Sequence, residues 1–116
     1  MKVLICGDRN WTDSESIFRE LIKFPKDTTV IEGEARGADT LGRIEAEKLG
    51  FEVLKFPAKW KEYGRAAGSI RNRQMLDEGR PDRVLAFHHD IGASKGTANM
   101  VRQARDRGIP VSIFTE

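Results

Sequence analysis

The chain holds little of what marks a specialised class. Its one cysteine, Cys6, rules out an internal disulfide and points to a reducing cytoplasm, with Cys6 expected as a small buried strand residue. No apolar run approaches the roughly 20 residues that span a bilayer, so no membrane association is expected. Val3-Leu4-Ile5-Cys6 is too short for a secretory signal and lacks a small-residue cleavage site. Twenty basic against 18 acidic side chains leave a net charge of only +2, too little for general attraction to polyanions. No second or third glycine follows Gly7, which disfavours a dinucleotide fingerprint, and Ser94-Lys95-Gly96-Thr97 places its lysine before the glycine, unlike an ATP-binding P-loop. There is no repeat, low-complexity tract or linker, so residues 1–116 read as one domain.

What is present fits a globular α/β domain: 39% apolar and 33% charged residues, in a chain long enough to bury about 65% of its unfolded surface. Lys2 to Cys6 reads as a strand buried on both faces. A helix capped by Asp13 or Ser14 follows, with Ile17, Phe18, Leu21 and Ile22 at helical spacing and Pro25 as its stop. Further strands are expected over 28–31, 51–56, 83–87 and 111–114. A second helix from Ala38 carries Leu41, Ile44 and Leu49 towards the core, a third runs from 69 to 78, and a fourth carries Ala98, Val101 and Ala104. The segment from Ala58 to Gly68 is the longest connection. Strict alternation predicts a Rossmann-like three-layer α/β/α domain with a mostly parallel five-stranded sheet in order 3-2-1-4-5.

In such a sheet ligands bind beyond the carboxyl ends of the strands, where the strand order reverses. The chemistry-bearing residues of this chain fall on that edge. The opposite connections, at 24–27, 50, 79–82 and 108–110, carry turn residues with little chemistry. Gly7 allows close backbone approach and Arg9 can hold a phosphate or carboxylate in two-pronged fashion. Gly33-Glu34-Ala35-Arg36-Gly37-Ala38-Asp39 sets two carboxylates and a guanidinium around a strand-to-helix turn, suited to ribose hydroxyls or acid-base work. Arg71 and Asn72 open a helix at the same edge, where an arginine opposes the helix dipole and so calls for an anionic partner. Ile91 to Thr97 leads from strand to helix: Gly92 and Gly96 admit a ligand to the backbone, while Ser94, Lys95 and Thr97 add hydroxyls and a cation, a combination suited to phosphate. Trp60 or Tyr63 is placed to shield a base, and Trp11 is expected to pack under the first helix. His88 and His89, adjacent at a strand end, face opposite ways and make poor joint metal ligands, so no metal is expected.

Gly7-Asp8-Arg9-Asn10-Trp11, the Gly33 to Asp39 block, Phe56-Pro57-Ala58-Lys59-Trp60, Gly68-Ser69-Ile70-Arg71-Asn72 and Gly96-Thr97 together resemble the YspA-type branch of the SLOG superfamily. That superfamily joins Rossmann-like domains of the DprA (Smf) type and the LOG phosphoribohydrolases. Small stand-alone members are common in bacteria and phages. The resemblance implies a nucleotide or nucleotide-derived ligand at these loops, no separate cofactor, and homo-oligomers, for which the third helix with Met75 and Leu76 is a candidate contact. LOG enzymes place a catalytic glutamate shortly after the Gly-Thr of their loop. Here Ala98, Asn99 and Met100 follow Thr97, so hydrolysis of a nucleoside 5′-monophosphate would need Glu34 or Asp39 in its place, with Arg71 matching the family arginine. The reading favoured by the residues is nucleotide binding, with Arg71 and Arg9 on anionic oxygens. LOG-like hydrolysis and DprA-like binding of single-stranded nucleic acid are the alternatives. Removing Arg71 is expected to weaken binding and leave folding intact.

Overall fold

Alternate residues of the central strand point into two separate cores. In the computed structural model, which describes residues 1–116, β1 (Lys2–Gly7) lies between β2 (Thr29–Glu32) and β4 (Arg83–Phe87). β3 (Glu52–Lys55) and β5 (Val111–Phe114) form the edges, giving an all-parallel sheet in the order β3-β2-β1-β4-β5. Leu4 sits opposite Ile31 on one side and Val84 on the other. Because side chains alternate along a strand, Val3, Ile5, Val30, Leu85 and Phe87 face α1 (Ser14–Leu21) and α2 (Ala38–Lys48). Leu4, Cys6, Ile31, Val84 and Ala86 face the opposite layer, built by α4 (Ala67–Gln74) and α5 (Gly96–Asp106). Nearly all of these side chains are fully buried, each contributing roughly 1.5–3 kcal/mol of burial for the larger aliphatics.

Asp13 caps α1 by accepting the Ser16 N–H at 3.1 Å. Ile17 and Leu21 are buried beneath that helix, whereas Ile22 is 51% exposed because the helix ends there. Trp11 is buried against the same core and donates its indole N–H to the Asp13 carbonyl at 2.9 Å. In α2 the sheet-facing stripe is the small set Ala38, Gly42 and Ala46, one turn apart. That stripe lets the helix lie close to the sheet and turns Ile44 out to solvent, contrary to the expectation from its apolar spacing. Leu41 and Leu49 pack at the margin of the core.

The largest departure from the sequence reading lies between Pro57 and Gly68. What reads as a long loop is a short helix, α3 (Trp60–Tyr63), followed by a 3₁₀ turn over Gly64–Ala66. Neither buries a side chain, so no apolar period betrays them in sequence. α4 accordingly starts at Ala67, ahead of Ser69, and widens at its end into a π turn over Met75–Gly79. Met75 and Leu76 are buried in the α4–α5 core layer and are unavailable as a contact between copies. No helix is long and apolar enough to cross a membrane.

Candidate functional site

The strand order reverses at β1, between its neighbours β2 and β4, and a cavity of about 790 Å³ opens at the carboxyl ends of these strands. Six segments supply its walls: the exit of β1, the β2–α2 turn, the connection from β3 into α3, the start of α4, the exit of β4 and the start of α5. Gly7, Arg9, Gly33, Glu34, Arg36 and Asp39 all line it. So do Trp60, Arg71 and Asn72, with Ser94, Lys95, Gly96 and Thr97 at the far wall. Gly92 lies outside this space. Tyr63 faces a separate cleft of about 310 Å³ along α4, which leaves Trp60, 56% exposed, as the aromatic ring at the cavity rim.

The residues that meet here do different work. Asp39 is buried, and its Oδ2 accepts the Gly33 N–H at 3.0 Å and the Ala35 N–H at 3.4 Å. Burial pushes its carboxyl up to about 6, against the opposing pull of the Arg71 guanidinium and these two amides. Arg71 donates from Nη1 to the Gly33 carbonyl at 2.6 Å and from Nε to Asn72 Oδ1 at 3.1 Å. Asn72, itself buried, donates from Nδ2 to the Gly96 carbonyl at 3.2 Å and to Asn99 Oδ1 at 3.1 Å. One polar chain thus ties the β2–α2 turn to α4 and α4 to the start of α5. Gly33 is required for it, because a Cβ there would overlap the Arg71 guanidinium. Gly7 has a parallel duty: its Cβ position is taken by the Phe87 carbonyl and by Ala38, so the close approach it allows is by the protein's own chain.

Arg71 therefore bonds within the fold as well as lining the cavity, so its removal is expected to lower stability as well as to weaken binding. Its Nη2 makes no hydrogen bond within the protein, and the side chain lines the cavity. Asn72 uses its whole amide on protein partners, which makes it a positioning residue. Of the two carboxylates carried as catalytic candidates, Asp39 is engaged by the turn, while Glu34 is exposed at the cavity.

Glu34 also sits in the left-handed region at φ 58°, a conformation that non-glycine residues adopt rarely. Its N–H is caught by Oε1 of Glu32 at 2.8 Å. Glu32 is fully buried at the end of β2, and its Oε2 has no hydrogen-bond partner. Burial raises its carboxyl to about 7, with the Asp39 and Glu34 charges adding to the effect and the Glu34 amide opposing it. The strand expected over 28–31 in fact extends to Glu32, which was not among the expected site residues. A glutamate as the last residue of an otherwise β-branched run was the available signal.

At the far wall Ser94 Oγ accepts the Thr97 N–H at 3.0 Å and caps the start of α5. Around Gly96 the space is open, with nothing within 4 Å of where a Cβ would stand. His88 and His89 diverge as their adjacency predicts: His89 stacks on Trp11 with ring centroids 4.5 Å apart, and His88 lines the cavity. His88 and Asp8 were not among the expected ligand residues, although both flank the cavity floor.

A parallel sheet with helices on both faces and a cleft at its switch point defines a Rossmann-like domain whose main cavity lies at the carboxyl edge. Comparison with known proteins sharpens this: a model of the YspA, cpYpsA-related SLOG family matches residues 1–63, and the chain belongs to that family. It is 37% identical over 122 residues to the Gene 61 protein of Mycobacterium phage D29, covering 97% of this chain and 95% of that one. Among solved structures it resembles DNA processing protein A (DprA) from Streptococcus pneumoniae, with a TM-score of 0.53 and 15% identity. That match covers 98% of this chain but 59% of DprA, and at such identity it speaks for the fold.

Proposed function

We propose that the carboxyl-edge cavity binds a nucleotide or a nucleotide-derived ligand. The observation that carries this reading is the convergence of Arg9, Arg36, Arg71 and Lys95 on one switch-point cavity, beside the open backbone at Gly96. Each cation comes from a different segment, as expected of a site assembled to meet an anion from several directions. The volume falls within the roughly 300–1,000 Å³ typical of small-molecule sites. The ligand's phosphate lies against Gly96 and Lys95, Arg71 Nη2 and Arg9 reach its oxygens, and Trp60 covers the base at the rim. The test is native mass spectrometry of the full chain with nucleoside mono- and diphosphates, ADP-ribose and NAD. A retained, unchanged ligand supports binding; release of free base shows hydrolysis, for which Glu34 is the exposed carboxylate at the cavity.

A second reading rests on a separate observation. From Lys59 to Ala66 every residue is exposed, and Trp60 and Tyr63 there alternate with Lys59, Lys61 and Arg65. Aromatic rings interleaved with cations form a stacking surface for single-stranded nucleic acid, and DprA, which shares the fold, is by its name a DNA-processing protein. Affinity for an oligonucleotide that falls steeply with added salt favours this reading over a small nucleotide.

A further inference from the structure

Asp8 and His88 stand on opposite sides of the switch point, Asp8 just beyond β1 and His88 just beyond β4. Both backbones are anchored. The Asp8 carbonyl accepts the N–H groups of Trp11 and Ala38 at 3.0 and 3.1 Å, and the His88 N–H donates to the Phe114 carbonyl at 2.9 Å. Both side chains are largely buried, 16% and 13% exposed, with their ends at the cavity. One atom of each is committed to the protein: Asp8 Oδ1 accepts the Asn10 N–H at 2.8 Å, and His88 Nδ1 accepts the Asp90 N–H at 2.9 Å. That second bond fixes the tautomer, because a ring nitrogen that accepts has no proton, so the neutral ring carries its proton on Nε2. The remaining atoms, Asp8 Oδ2 and His88 Nε2, face each other at 3.9 Å, too far for a hydrogen bond between them.

We infer that Asp8 and His88 together grip a sugar hydroxyl of the ligand, and that the site selects ribonucleotides over their 2′-deoxy or 3′-deoxy counterparts; this rests on the nucleotide reading above. A hydroxyl is the group that both donates and accepts, and an oxygen at about 2.8–2.9 Å can meet both atoms of a pair this far apart. It accepts from Nε2–H and donates to Oδ2. A phosphate in the same place would stand against the Asp8 carboxylate, whereas the Gly96 and Lys95 wall of the same cavity has no such carboxylate partner. The ligand is thereby oriented, phosphate towards α5 and sugar over the crevice between β1 and β4. Asp39, the carboxylate expected to meet the ribose, is instead tied to the β2–α2 turn.

The test is titration calorimetry of the full chain with the four nucleoside 5′-monophosphates in ribo, 2′-deoxy and 3′-deoxy form. The best-bound ribonucleotide is expected to bind about tenfold to a hundredfold more tightly than at least one of its deoxy counterparts, since removing the hydroxyl leaves two polar groups unpaired. His88→Ala should bring ribo and deoxy forms within about twofold, while His88→Gln, whose amide nitrogen reaches the place of Nε2, should keep the preference. Asp8→Asn, isosteric and still able to accept from Asn10, provides the same test if His88→Ala fails to fold. A purely structural role for the pair would lower the melting temperature without moving the ribo-to-deoxy ratio, and so would overturn the inference. Equal binding of ribo and deoxy forms by the unaltered protein overturns it alone. No binding by any of the twelve compounds overturns the inference, and the nucleotide reading falls with it when nucleoside diphosphates, ADP-ribose and NAD also fail to bind.

Discussion

Two turns face each other across the cavity, both leading from a parallel strand into a helix and both rich in polar residues. The β2–α2 turn is committed to itself: Asp39 accepts two of its amides, Glu32 accepts a third, and Arg71 holds its Gly33 carbonyl. The β4–α5 turn holds itself with the Ser94 cap and the Asp90–His88 bond, and leaves open space around Gly96. The turn with more charge is thus the more engaged with its own protein. In this fold, charge alone marks where polar groups gather; unpaired hydrogen-bonding capacity marks where a ligand can be met.

The contrast breaks hardest at the link between the turns. Asn72→Ala removes an amide that joins Arg71, Gly96 and Asn99 in a buried setting. It should cost about 3 kcal/mol in chemical denaturation and weaken ligand binding as well. Arg71→Ala should follow at about 2 kcal/mol, together with roughly tenfold or greater loss of nucleotide affinity, separating its two duties. An unchanged melting temperature would show that its bond to Gly33 contributes nothing.

The engaged turn should also carry a pH dependence. Glu32 and Asp39 hold their protons more tightly folded than unfolded, with values raised from 4.5 to about 7 and from 3.8 to about 6. The native state therefore binds more protons, and stability from these groups is full below about pH 4 and is lost as pH rises through 6 and then 7. The slope per group approaches about 1.4 kcal/mol per pH unit in that window. Glu32→Gln should flatten the decline and leave the variant more stable than the parent at pH 8 by urea denaturation. An unaltered pH profile would show that Glu32 is not the titrating group.

The open turn predicts the smallest change in stability. Gly96→Ala fills vacant space at the start of a helix and should shift stability by no more than about 0.5 kcal/mol, while reducing nucleotide affinity by about tenfold. Trp60→Ala, on a helix that buries nothing, should leave the melting temperature unchanged and cost a few-fold in affinity, about 1 kcal/mol. Unaltered binding in both variants would move the ligand away from this wall and rim.

Much of the fold is legible from residues that repeat. Short apolar runs and helical spacing place β1, the other strands and most helices, the alternation of strand and helix gives the order of the sheet, and turn residues mark the opposite edge. Elements that bury nothing escape this reading, which is why α3 passes for loop. Ile44 misleads for a related reason, since a stripe of small residues sets the rotation of α2 more strongly than an isolated isoleucine. At the site, thirteen of the fourteen expected positions line one cavity, all but Gly92. Their division into holders and open groups is not legible, because Arg71 meets Gly33 across 38 residues of sequence and Asn72 meets Asn99 across 27.

By itself the sequence determined that strands and helices alternate, that β1 is buried on both faces, and that glycines, arginines and hydroxyls gather at the strand ends. These follow from local chemistry, from spacing and from the rules that govern parallel crossovers. Only the tertiary structure decided which polar groups satisfy one another. It set Asp39 and Asn72 to positioning, exposed Glu34 and Trp60, buried Glu32 without a full complement of partners, and brought Asp8 and His88 face to face. Hydrogen bonds form between atoms brought together by packing, and their partners lie in distant segments whose approach no local pattern records.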